Sequence, residues 1–167
     1  MLMSVMTVLE LNRLGINSAG VDEFYFHAAK RDNKKIETLE SIEQQVNFLA
    51  AVGVGNEEQF IQYLLDSLTG NDAKIAAMIT AWQQGNLSSL VSASEFDDLR
   101  NRFPQVYKTL MTNRNNRWLP IIEEMFEDPD TELILVGALH MAKQEGLIQL
   151  LEDKGYQITP ISYCMNQ

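Results

Sequence analysis

The chain has 167 residues, 46% of them apolar and 22% charged, a mix that excludes a disordered polymer and fits one globular domain. Its 13 basic against 23 acidic residues give a formal net charge of −10, the wrong sign for tracking a nucleic-acid backbone or an anionic membrane. The one cysteine, Cys164, excludes an internal disulfide framework and a cysteine-cluster metal site.

Met1 to Leu11 is apolar but lacks a basic leader and a small-residue cleavage site, and Glu10 and Arg13 end the run. It reads as an amphipathic helix, not as a signal peptide or a membrane span. Ser4 to Leu14 is a helix stopped by Gly15. Asn17 or Ser18 can cap the next, which runs from Val21 to Lys30. Asp22 sits in its first turn, and His27 lies on its surface or in the core. Lys35 to Leu39 alternates like a short strand. Ser41 with Gln44 three residues on forms a capping box, and Ile42, Val46, Leu49 and Ala50 follow at helical spacing.

Three more helical patterns cover Glu57 to Leu68, Asp72 to Gln83 and Ser94 to Phe103, with Asn71 and Ser94 as caps. Gln105 to Thr112 is helical, and a further helix spans about Asn116 to Glu127. Its late start is argued from Pro120, because a proline in the first turn removes no intrahelical bond.

The end differs in kind. Glu132 to Ala138 is a nearly unbroken apolar run, which reads as a buried parallel strand. Gln144 to Lys154 is a helix closed by Gly155, and Tyr156 to Ile161 is a second strand. Strand, helix, strand predicts a right-handed βαβ unit. The expected fold class is therefore α/β, with a small parallel central sheet and much helix.

Three places carry candidate chemistry. His140, in Gly137-Ala138-Leu139-His140, sits at the C-terminal end of the predicted buried strand, the edge where open α/β sheets bind ligands. A neutral imidazole there ligates a metal, moves a proton, or simply bonds a loop carbonyl. Glu40 stands at a strand-to-helix junction, as a site residue or on a solvated loop, and Glu43 is favoured by the dipole of the helix it begins. Arg114 and Arg117 flank Asn115 and Asn116 ahead of Trp118, a pattern for gripping an anion or carboxylate, or for a solvated helix start. His140, Glu40 and Arg114 are expected to converge at one sheet edge. The sequence has no phosphate loop, no G-x-S-x-G and no H-E-x-x-H.

Several stretches in order resemble the TraB/GumN family, which includes the TIKI metalloproteases. They are Gly20-Val21-Asp22, Leu39-Glu40-Ser41-Ile42-Glu43-Gln44-Gln45, Ala81-Trp82-Gln83-Gln84-Gly85-Asn86, Arg114-Asn115 with Trp118, and Val136-Gly137-Ala138-Leu139-His140 with Gly146 and Gly155-Tyr156 after it. The resemblance implies an α/β fold with a large helical insertion and two G-x-x-H motifs. It also implies a metal-dependent hydrolase, most simply a peptidase acting on a peptide or protein. Carried over by position, His140 and Glu40 would hold a divalent ion such as Mn²⁺, Co²⁺ or Zn²⁺. Glu43 would be the base, and Arg114 and Asn115 would complete the catalytic set.

The other histidine, His27, does not match the first G-x-x-H motif. The chain is therefore expected to be one family domain over 1–167 without that motif, and weak or inactive as a hydrolase. A ligand-binding, haem-binding (ChaN-type) or protein-interaction module on the same fold is the alternative. A homodimer or another partner would cover the exposed sheet edge. Family relatives are often exported.

Overall fold

The computed structural model describes residues 2–16, 20–68 and 72–161. These residues form helices and no strand pairs with another among them, so the expected α/β fold is corrected to an all-helical one. The helices are α1 (Leu2–Arg13), α2 (Val21–Arg31), α3 (Ile42–Ala51), α4 (Glu57–Leu68) and α5 (Asp72–Gln83). They continue with α6 (Leu87–Ala93), α7 (Phe96–Arg102), α8 (Pro104–Tyr107), α9 (Asn113–Met125) and α10 (Leu147–Asp153).

A strand exists only through its ladder, and hydropathy reports burial rather than partners. In the run after Glu132, Ile134 and Val136 pack on the core while Leu133 and Leu135 are exposed. The alternation expected of a strand is there, but Tyr156 to Ile161 does not pair with it and the backbone stays irregular. Lys35 to Leu39 is irregular for the same reason, with Leu39 packed inward and Ile36 exposed.

Local signals hold better. Ser41 caps α3 as a complete box: its Oγ accepts from Gln44 N at 3.1 Å, and Gln44 Oε1 accepts from Ser41 N at 2.8 Å. Gly15 takes a left-handed φ of 73°, which lets the chain leave α1 without a Cβ clash. Ser94, expected to cap the helix that runs to Phe103, instead closes α6, which Asn86 opens, and α7 starts after Glu95 without a side-chain cap. The caps placed at Asn17, Ser18 and Asn71 lie outside the described residues, as does Cys164.

The spine of the fold runs unbroken from Pro104 to Met125. Pro104 starts α8, a π-helical turn covers Lys108–Thr112, and α9 follows directly. The late start expected from Pro120 is therefore corrected: Pro120 lies inside α9. Both Pro120 and Asn116, whose carbonyl loses its N–H partner there, are exposed, so water can satisfy that carbonyl.

This spine touches three core clusters in turn. Val106 joins Phe60, Tyr63 and Phe103. Tyr107 and Met111 pack with Val91, Phe96 and Ala142. Trp118 and Ile122 pack with Leu147 and Leu151 of α10.

Gly146 precedes α10, and a Cβ there would lie 2.3 Å from the Ala142 carbonyl oxygen. Only a glycine lets the loop after His140 fold back this tightly. Gly146→Ala should therefore lower stability by about 1–3 kcal/mol, an overpacking cost. Urea unfolding of the two proteins checks this, and equal midpoints would show that the close approach is not needed.

Candidate functional site

The irregular stretches bring chemistry together even without a sheet. Glu40 stands just before the Ser41 cap of α3, Arg114 and Asn115 open α9, and His140 lies in a 3₁₀ turn at Ala138–Met141. That turn is closed by His140 N donating to Gly137 O at 2.8 Å.

Arg114 is the centre. Its Nε donates to Glu40 Oε2 at 3.1 Å and its Nη2 to Glu40 Oε1 at 2.8 Å, a bidentate pair. Nη1 donates to the Leu110 carbonyl in the π-helical turn at 3.3 Å and lies 3.2 Å from His140 Nε2. The guanidinium rests 4.7 Å from the centre of the Trp118 ring. The side chains of Arg114 and Glu40 are only 18% and 13% exposed, so each charge depends on the other.

Asn115, 1% exposed, fixes the imidazole. Its Nδ2 donates to the carbonyls of His140 at 3.2 Å and Glu145 at 2.6 Å. Its Oδ1 therefore faces His140 Nδ1, 2.6 Å away, and must accept a proton from it. His140 is thus a neutral Nδ1–H tautomer, assigned from this network, and its Nε2 lone pair accepts from Arg114. Burial, and then the neighbouring Arg114 charge, push the His140 pKa down to about 4. The ring also sits against Trp118, with centroids 4.5 Å apart.

Not every candidate residue joins. Glu43 is exposed in the first turn of α3, away from these contacts. His27 is exposed on α2, with Nε2 3.7 Å from Glu23. Among the described residues no three His, Cys, Asp or Glu side chains gather to hold a metal ion. The donor set fits a divalent ion poorly for a more specific reason. Both Glu40 oxygens and His140 Nε2 already face one guanidinium, so a cation shared by these two residues meets Arg114 in its place.

Two contributors were not foreseen. The Leu110 carbonyl anchors Arg114, and only the fold reveals it. Trp118 stacks on both Arg114 and His140, and its spacing four residues after Arg114 was a legible hint.

A groove of about 430 Å³ runs beside the cluster between α3 and α9, with Glu40 and Trp118 in its wall. No described helix is long and apolar enough to cross a membrane.

A family model for the TraB/PrgY/gumN family matches residues 1–160. The chain belongs to that family. The Uncharacterized protein YbaP of Escherichia coli (strain K12) is 28% identical over 153 residues, covering 88% of this chain and 53% of that protein. The Uncharacterized protein YbaP of Shigella flexneri matches with the same figures. The chain spans about half the length of these curated relatives. No solved structure matches.

The depressed His140 pKa makes a signed prediction. An unfolded histidine titrates near 6.5 and the folded one near 4, so between them the unfolded state binds the extra proton. This contribution is complete above pH 6.5 and is lost as pH falls toward 4, by about 3 kcal/mol. Urea unfolding across that window, compared with His140→Gln, should show the loss in the native protein only. Parallel pH profiles for the two would contradict it.

Proposed function

We propose that this member of the TraB/PrgY/gumN family is a ligand-binding module whose site is the Glu40–Arg114–His140–Asn115 cluster with the groove beside it. The observation that carries this reading is the guanidinium itself. Arg114 occupies both oxygens of Glu40 and the lone pair of His140. A catalytic base needs a free lone pair and a pKa near the working pH. His140 has neither, so the cluster supports recognition better than turnover.

A metal-dependent hydrolase is the second reading, favoured by the family and by the meeting of His140 and Glu40 at one point. On that reading the two residues are ligands and Arg114 grips the substrate. The two readings separate in one assay. With a mixed peptide substrate and added Mn²⁺ or Co²⁺, the chain should show no hydrolysis above the metal-only background. Metal-dependent cleavage that is lost in His140→Ala would overturn the binding reading and establish the hydrolase.

A further inference from the structure

The groove between α3 and α9 has an apolar wall and an uncompensated positive charge. Leu39, Phe48, Pro120 and Ile121 supply the wall, and Arg117 and Gln44 stand at its polar side. Its volume of about 430 Å³ lies within the range of small-ligand pockets, roughly 300–1,000 Å³.

Arg117, Gln44 and Trp118 each bring N–H groups to the lining, beside Asn116, whose backbone carbonyl is freed by Pro120. Arg117 stacks 5.0 Å over the Phe48 ring but forms no ion pair among the described residues. Gln44 spends its Oε1 on the α3 cap, which leaves its Nε2 to donate. Trp118 lines the groove, and its buried Nε1–H has no acceptor. The one carboxylate in the groove wall, Glu40, is already neutralised by Arg114.

From this we propose that the groove binds a carboxylate carried on an apolar or aromatic body, such as the free C-terminus of a peptide ending in an apolar residue. Arg117 pairs with the carboxylate, its stacking on Phe48 holds the guanidinium in place, and the ligand's apolar body lies along Leu39 and Ile121. The inference rests on the binding reading above and names the ligand class of that site. The overall charge of −10 repels anions at long range, but at about 0.15 M salt that field decays within roughly 8 Å. The contact itself decides.

Calorimetry on the full chain at about 0.15 M salt tests this. The probes are N-acetyl-leucyl-phenylalanine as the free acid and as its C-terminal amide. The free acid should bind about tenfold or more tightly than the amide, as loss of a charged hydrogen bond implies. Arg117→Gln, at an exposed position outside the Arg114 cluster, should fold normally and erase that preference. In NMR spectra the Trp118 indole N–H should shift on titration with the acid, while that of the exposed Trp82 should not. Equal affinity for acid and amide, no binding of either, or an unchanged preference in Arg117→Gln would each overturn the proposal. Failure here leaves the metal assay untouched, because that assay reads His140 and not Arg117.

Discussion

One guanidinium holds together parts of the chain that no regular secondary structure connects. Arg114 reaches Glu40 ahead of α3, the Leu110 carbonyl in the spine and His140 in the loop before α10. Removing two such charges from water costs several kcal/mol per ion unless geometry and further hydrogen bonds offset it. Here the pairing is bidentate, and the stacking on Trp118 adds to it. The interaction therefore acts less as added stability than as a constraint on where three segments sit. Once Arg114 is fixed, Asn115 is carried one residue along the same helix into the core. It then closes the loop after His140 through two carbonyls.

This dependence explains the state of the imidazole. A histidine with an open lone pair in a cleft is poised for protons or metals. His140 is instead held from both sides, by an acceptor at Nδ1 and a donor at Nε2. Burial and the adjacent positive charge both oppose its protonation. The same residue types in a looser arrangement would make a reactive centre, and in this one both imidazole nitrogens are engaged. What distinguishes the groove is the second arginine, Arg117, which the cluster does not use.

The sequence showed local features clearly and long-range partners poorly. The Ser41–Gln44 box, the turn at Gly15 and the limits of α4 and α5 depend on residues a few positions apart, so spacing alone revealed them. The meeting of Glu40, Arg114 and His140 was expected from an argument about sheet edges. The residues do meet, but through a partly buried ion pair, because among the described residues no sheet forms. The apolar run after Glu132 was misread because period and burial are the same whether an inner face rests on helices or joins a ladder. Pro120 misled in the opposite way: it marks a weak point in the spine that water can satisfy, not a helix start.

The organisation of the site depends most on the coupling between Arg114 and Glu40. A double-mutant cycle with Glu40→Gln, Arg114→Met and the pair, read by urea unfolding, measures it directly. A shared, bidentate and largely shielded contact predicts a coupling at the upper end of the usual range, about 2–3 kcal/mol. A coupling below about 0.5 kcal/mol, the level of an exposed pair, would contradict the claim that this interaction organises the site.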